Sequence, residues 1–536
     1  MTKTHRKGVF MFYSILYPRR EQHEQPRLET EPDYFGDLNL DQIFQPILTE
    51  EKGFGIKEKK TVGLESFFYT PLQDIEAITY RQEVMRELED ENLRAMFNGF
   101  AYTVYGIQMF VGMVHDALTS LQRWRDNYIT RGQLLDCVER YIAAVDGLCA
   151  ALAGMNLCSD GLKGFAGYLK DYAASDAFTG MRDHAKKLRE QLSTVEYCML
   201  IKHGVIRVRR YEGQADRAKD ILATFSKFSQ GQTRDFKFHV TDESRDMRME
   251  AIVLNMVAAY YKDIFADLDK FCEKYYNFID ETVSRFAREV QFYLSWLDYI
   301  APLRQSGLQF CYPTIKNDAR ALYCRAGFDL ALAYRMRGEP GAIVPNDFEL
   351  NAPERILVIT GPNQGGKTTF ARAFGQMHHL ASLGLCVPGR EAALYLFDTI
   401  LTHFEREEDI NTLNGKLQDD LVRLRDLLVR ATSRSIVIIN EIFVSTTLTD
   451  ALTLGTRMMD ALAAKNVIAV VVTFLDELAT HGPETVSMMT TVDPEDPARR
   501  LFKIIRKPPD GLAYAMFLSS KHGLTYEQLS GRLKKK

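Results

Sequence analysis

Arg355-Ile-Leu-Val-Ile-Thr360 runs directly into Gly361-Pro-Asn-Gln-Gly-Gly-Lys-Thr-Thr369, and the fold of the second half of the chain turns on this stretch. Its first part is aliphatic and largely β-branched, the composition of a buried strand. A glycine-rich turn follows, and Phe370-Ala-Arg-Ala-Phe374 reads as the opening turns of a helix. Gly361, Gly366, Lys367 and Thr368 fit the P-loop pattern G-x-x-x-x-G-K-[ST]. Glycines let backbone N–H groups turn inward around phosphate oxygens, and a helix N-terminus adds partial positive charge. Lys367 is spaced to reach the β- and γ-phosphates, and the Thr368 hydroxyl to ligate Mg²⁺. The alternative is a glycine-rich strand-to-helix turn with a chance lysine. A strand before, a helix after and a complete motif weigh against it. The expected ligand is a nucleoside triphosphate, cradled by Gly361, Pro362, Asn363, Gln364, Gly365, Gly366, Lys367, Thr368 and Thr369.

A chain of 536 residues is too long for one core, and roughly three domains is the prior. Hydrophobic content of 46% and charged content of 26% are those of a globular protein. A formal charge of −4 gives no global attraction to nucleic acid, so such contacts must come from local patches. The eight cysteines include no C-x-x-C pair, which argues against structural zinc and a secreted disulfide framework and favours the cytoplasm. Val9-Phe-Met-Phe-Tyr-Ser-Ile-Leu16 follows a basic start but is succeeded by Tyr17-Pro-Arg-Arg, so a buried first strand is expected rather than a signal peptide. No stretch reaches the length of a membrane span.

Residues 1–37 read as that strand and a polar linker. The text then turns helical, and Thr70 to Leu88 reads as one helix with Pro71 in its first turn. Leu135, Val138 and Ile142 exemplify apolar spacings of three and four between residues 90 and 200, as in long antiparallel helices. The period changes to two near Met199–Tyr211, where a β-ribbon is expected, with Asp235–Val240 as a returning strand. After Thr241-Asp-Glu-Ser244, a stripe of Val257, Tyr261, Ile264, Leu268, Phe271, Tyr275 and Phe278 suggests a single helix to about Ile300. Such a helix would span on the order of 75 Å. Two stacked helices with a kink are the alternative. Ala301-Pro302 is expected to end the helical zone, and strands alternate with helices beyond Val344, among them the apolar runs Ile436–Ile439 and Val467–Val472.

Ser435-Ile-Val-Ile-Ile-Asn-Glu441 reads as the Walker B strand, which in P-loop enzymes ends in two acidic groups. Glu441 fills the second position, as the carboxylate that polarises the attacking water, and Asn440 fills the first. An amide still hydrogen-bonds a metal-bound water but brings no charge, so Mg²⁺ should be held less firmly. Ile359-Thr-Gly-Pro-Asn-Gln-Gly-Gly-Lys-Thr-Thr369 resembles the signature T-G-P-N-M-G-G-K-S-T of the MutS mismatch-repair ATPases. Asn440-Glu-Ile-Phe-Val-Ser-Thr-Thr-Leu-Thr-Asp450 is similar to that family's D-E-I-G-R-G-T-S-T-x-D. Val344-Pro-Asn-Asp347, Val472-Thr-Phe-Leu-Asp-Glu-Leu478, Thr70-Pro-Leu-Gln-Asp74, Gly511-Leu-Ala-Tyr514 and His522-Gly-Leu524 extend the likeness over roughly residues 38–530.

The resemblance implies an α+β multidomain chain. A long-helical core and lever domain (38–335), with a clamp-like ribbon near 199–240, would precede an ABC-type P-loop α/β ATPase domain (336–536). It also implies ATP and Mg²⁺ as cofactors, Lys367 and Glu441 as catalytic groups, Thr368 and Asn440 at the metal, and a homodimer or MutS-like partner completing each site. The family's clamp grips DNA, so Lys202, Arg207, Arg209 and Arg210 become candidates for backbone contacts; a solvated strand face is the other reading. A short form is expected, without the mismatch-recognition and connector domains. Three positions depart from the family pattern: Asn440; Phe474, where a histidine is usual; and the loop Glu408–Lys416, which lacks the trans-acting serine. Slow hydrolysis follows from these. A nucleotide-gated dimerisation switch that binds proteins rather than DNA is the second functional reading. An ABC transporter ATPase is disfavoured because no L-S-G-G-Q stretch occurs.

Overall fold

The computed structural model describes residues 12–52, 56–59, 63–119, 128–202, 205–213, 243–339, 341–405, 415–493, 500–509, 525–526 and 530. The chain divides into two compact units, one of Met1–Glu91, Cys158–Gly161 and Gln291–Lys536, the other of Asn92–Leu157 and Leu162–Val290. The first is therefore discontinuous in sequence.

The first unit is built around a six-stranded sheet. Its strands are β1 (Ile356–Thr360), β2 (Ile400–His403), β3 (Ile436–Asn440), β4 (Ile468–Val472), β5 (Thr485–Val492) and β6 (Arg500–Arg506), in the order β2-β3-β4-β1-β5-β6. All neighbours are parallel except β5 and β6. β1, β3 and β4 are buried at every position, as continuous apolar runs covered on both faces should be. Side chains alternate between those faces. Val358, Val437, Ile439, Ala469 and Val471 join one cluster with helices α2 (Lys416–Arg430) and α3 (Leu448–Lys465), through Leu424, Leu427, Met458, Met459 and Leu462. The helix after the P-loop, α1 (Lys367–Ser382), is largely buried and is called αP below. A second, four-stranded sheet orders Thr314–Lys316, Glu391–Tyr395, Ala321–Gly327 and Asn346–Asn351.

The amino-terminal segment is tied into this unit by Arg81, only 1% exposed. Its guanidinium donates to Leu16 O (3.0 Å) and Leu383 O (3.1 Å) and lies over the rings of Tyr17 and Phe292. The expected first strand is not seen in its described part, Phe12–Leu16. There the Ser14 hydroxyl accepts from the N–H groups of Leu16 and Tyr17 and closes a turn instead. The helix expected from Thr70 starts at Ile75, because the Asp74 carboxylate caps it by accepting from Glu76 N; Pro71 lies outside it. Pro302 does not end its helix, which continues to Gln305. With Pro302 so close to that end, the lost bond falls in the final turn.

In the second unit, Leu135, Val138 and Ile142 are buried on helix Tyr128–Leu152. Phe178 and Phe278 pack edge-on to Tyr141, and Phe165 stacks on Phe286. The long helix expected after Ser244 is three: Glu243–Tyr260, Lys262–Lys274 and Glu281–Gln305, the last passing at Gln291 into the first unit's residues. Tyr261 leaves helical geometry (φ −121°, ψ 47°) and sends its hydroxyl to Glu196 O at 2.6 Å. The second break ends at Asp280, whose carboxylate accepts from Val283 N at 2.9 Å. The apolar stripe persists, with Val257, Leu268, Phe271, Tyr275 and Phe278 all buried. The ribbon forms as an antiparallel pair, but Val205–Arg210 pairs with Tyr197–Lys202; Asp235–Val240 lies outside the described residues. No helix among the described residues is long and apolar enough to cross a membrane.

Candidate nucleotide site

The register of the parallel strands brings the chemistry to one edge. Asn440 pairs with Val472 and Val472 with Ile359, so β3, β4 and β1 end level with one another. Ligands of open α/β sheets sit at this carboxyl edge. Beyond β1 the chain turns through Gly361 (φ 110°), Gln364 (φ 60°) and Gly366 (φ 92°) before αP begins. Gly361 is obligatory twice over. Its φ is one that side chains avoid, and a Cβ there would collide with the Thr490 hydroxyl of β5.

Lys367 is 4% exposed, and its ammonium donates to Gly361 O (3.0 Å), Pro362 O (3.4 Å) and Asn363 Oδ1 (3.0 Å). Glu441 Oε1 lies 3.7 Å away. Burial pushes the Lys367 pKa down, Glu441 opposes that shift, and the charge of Arg500 adds to it. Thr368 Oγ1 donates to Asn440 Oδ1 at 2.9 Å. Glu441 takes a left-handed conformation (φ 54°) with its N–H on Val472 O at 2.9 Å. Phe443, where the resembling pattern has glycine, is also left-handed (φ 64°) and buried against the cluster under α2 and α3. The strain of two such residues persists only where their surroundings over-determine the backbone.

A cavity of about 280 Å³ opens beside these groups, lined by Gln364, Gly366, Lys367, Thr368 and Glu441 together with the apolar Ile343, Val344 and Phe502. Phe502 (φ 56°) is 49% exposed. Its strained backbone is pinned on the carboxyl side by Asn346, which donates to Phe502 O (3.1 Å) and accepts from Ile504 N (2.7 Å). The backbone N–H groups opening αP suit phosphate, and the apolar part of the lining suits an aromatic ring. Thr368 Oγ1 and Asn440 Oδ1 are hard oxygen donors of the kind Mg²⁺ accepts when phosphates and waters complete its shell. Among the described residues no cluster of three acidic, histidine or cysteine side chains forms a metal cage without a nucleotide.

The structure thus gathers Gly361–Thr369, Asn440 and Glu441. Phe474 is 47% exposed just beyond β4 and does not line the cavity. Glu408 to Asn414, like Gly511–Tyr514 and His522–Leu524, lie outside the described residues, as does the side chain of Lys416. On the ribbon the four basic candidates separate. Arg207 and Arg209 are exposed and two residues apart, hence on one face. Arg210 is on the other, its guanidinium 4.9 Å from the Tyr261 ring. Lys202 pairs with Val205, and its side chain is not described.

Sequence reasoning missed Thr490, Arg500 and Phe502, which β5 and β6 carry to the P-loop from more than a hundred residues away. No motif marks them. Residues 357–504 match the family described as MutS domain V. The chain is 27% identical over 266 residues to the DNA mismatch repair protein MutS of Shouchella clausii, covering 48% of this chain and 29% of that one. It is 29% identical over 172 residues to the protein of that name from Granulibacter bethesdensis (32% and 18%) and 27% identical over 241 residues to that of Thermus thermophilus (45% and 29%). The matches span less than a third of these relatives' own length. The matched region holds the phosphate loop, the Asn440–Glu441 strand end and most of the closing strand pair, and it is there that the chain carries the family's domain V.

Proposed function

We propose that the chain is a MutS-type ATPase that works as a dimer on DNA, as a clamp or structure-binding factor. The observation that carries this reading is the convergence of Lys367, Thr368, Asn440 and Glu441 at the edge of one cavity. In this reading the αP N-terminus and Lys367 hold the triphosphate, and the base rests among Ile343, Val344 and Phe502. Glu441 orients the attacking water and takes up its proton. Thr368 and Asn440 would be the protein's oxygens toward Mg²⁺, which would supply neutralisation of phosphate charge. Lys367 must leave its carbonyl acceptors and Asn363 for the phosphates, an exchange of neutral partners for anionic, stronger ones. Residues 38–335 would act as core and lever and 336–536 as the ATPase, in the cytoplasm. Arg207 and Arg209, with Lys202, would neutralise DNA phosphates.

A second reading, a nucleotide-gated dimerisation switch acting on protein partners, is favoured by neutral Asn440 and by the apolar ring of exposed Phe474. ATP turnover with and without duplex or branched DNA, in the wild type and in Lys367→Ala and Glu441→Ala, separates the two. DNA-altered hydrolysis that Glu441→Ala abolishes is expected from the first. ATP binding without turnover, indifferent to DNA, overturns it in favour of the second.

A further inference from the structure

We propose that Thr490, on β5 behind the phosphate loop, is a positioning residue whose hydroxyl takes over the Pro362 carbonyl when Lys367 turns to a nucleotide's phosphates. The inference rests on the nucleotide-site reading above and deepens it. Thr490 is 2% exposed, and its Oγ1 has no hydrogen-bond partner among the described residues. A buried hydroxyl without a partner is destabilising, and such groups are rare enough to need a reason. The surroundings of this one indicate its partner in another state. A Cβ on Gly365 would lie 2.9 Å from Thr490 Oγ1 and 3.0 Å from Pro362 O. Hydroxyl and carbonyl therefore flank one small space that the glycine leaves empty. Pro362 is buried, and its oxygen accepts from Lys367 Nζ at 3.4 Å, the longest of that ammonium's three bonds to the loop.

Lys367 cannot serve the loop and the ligand together. When its ammonium swings to phosphate oxygens, Pro362 O stays buried and loses that donor, a cost that subtracts from nucleotide affinity. Thr490 has a proton to donate and no acceptor for it. A small shift of the loop that closes the space beside Gly365 pairs the two, so that two unsatisfied groups become one hydrogen bond. Thr490 touches no phosphate in this scheme. It acts through the loop backbone, as a donor held in reserve for the occupied site.

The test is equilibrium binding of ATP and AMP to the full chain, beside thermal melting without nucleotide, for the wild type, Thr490→Val and Thr490→Ser. AMP lacks the β- and γ-phosphates that draw Lys367 away, so it makes no demand on the reserve donor. Thr490→Val keeps the shape and removes the orphaned hydroxyl, and should raise the nucleotide-free melting temperature by about 2 °C. The same variant should weaken ATP about fivefold, the scale of one hydrogen bond, and AMP less than about twofold. Thr490→Ser keeps the hydroxyl and should bind ATP within about twofold of the wild type. Equal losses for ATP and AMP would show a merely structural role and overturn the proposal, as would unchanged ATP binding by Thr490→Val. A lower melting temperature for Thr490→Val would show that the hydroxyl is already paired without nucleotide, and a loss in Thr490→Ser as large as in Thr490→Val would transfer the effect to the methyl group; either overturns it. Should Thr490→Val unfold, Thr490→Ala supplies the comparison of ATP with AMP. Absence of ATP binding by the wild type overturns the nucleotide-site reading itself.

Discussion

The P-loop edge and the basic ribbon hold their cations in opposite ways. At the loop, Lys367 is buried and committed to three oxygens and a nearby carboxylate. On the ribbon, Arg207 and Arg209 stand in solvent on one strand face. The difference teaches where function depends on position and where it depends on charge count. A buried ammonium works through geometry fixed to a fraction of an ångström, so replacing its atoms changes everything downstream. Exposed guanidiniums work through screened charge and are interchangeable.

The sharpest way to break that contrast is at Glu441. Glu441→Gln should lower ATP turnover by a factor on the order of 100 to 1,000 while leaving ATP binding within a fewfold, measured by steady-state kinetics beside calorimetry. Lys367→Ala should weaken ATP binding by roughly a hundredfold, the scale of a lost charge-assisted cradle contact, and a normal dissociation constant would show that the buried lysine is structural. The histidines of αP set a pH limit on the same unit. His378 and His379 are fully buried, and burial pushes both pKa values down to about 4. Both are neutral in the fold, so between about 6.5 and 4 the unfolded chain binds more protons and stability falls as pH falls. From pH 6.5 to 5.5 each should cost about 1 kcal/mol in urea denaturation. His378→Phe should remove about half of the combined loss.

On the ribbon, Arg207→Ala with Arg209→Ala should weaken duplex binding about tenfold and flatten the slope of log K against log salt by about 1.8. Arg210→Ala, which loses only its stack on Tyr261, should leave that slope unchanged; an equal change would show that the two faces do not differ. The smallest effect is expected from Asn440→Asp. It restores the carboxylate beside Thr368 and should reduce the Mg²⁺ concentration needed for half-maximal turnover about threefold.

Much of the nucleotide edge was legible because its signals are local. A continuous apolar run, a glycine turn and a lysine at fixed spacing specify β1, the loop and αP without reference to the rest of the chain. β3 and β4 were legible for the same reason. Thr490, Arg500 and Phe502 were not, since only strand pairing brings them to the loop. In the second unit, a kinked pair of helices was only the alternative reading and the break at Tyr261 was not located, because Tyr261, Lys262 and Asp263 suit a helix and the apolar stripe continues across it. What breaks the helix is long-range, the Tyr261 hydroxyl reaching Glu196 and its ring receiving Arg210. The Phe12–Leu16 strand failed on a short-range competitor, the Ser14 hydroxyl, which offered backbone amides a nearer acceptor. A neutral Asn440 was legible, but its acceptor role toward Thr368 required coordinates.

The bonds of Arg81 set a schedule for biosynthesis. Its two acceptors, Leu16 and Leu383, belong to stretches of chain made far apart in time, for Leu383 is 302 residues downstream. At about 5–20 residues per second a ribosome needs roughly 15–60 s to cover that distance. Through that interval the aromatic amino-terminal segment waits without the sheet it packs with, while the inserted second unit is made and completed before αP appears. Nascent chains of this protein are therefore expected to engage chaperones through their first ninety residues, and release should coincide with emergence of αP rather than with the end of translation.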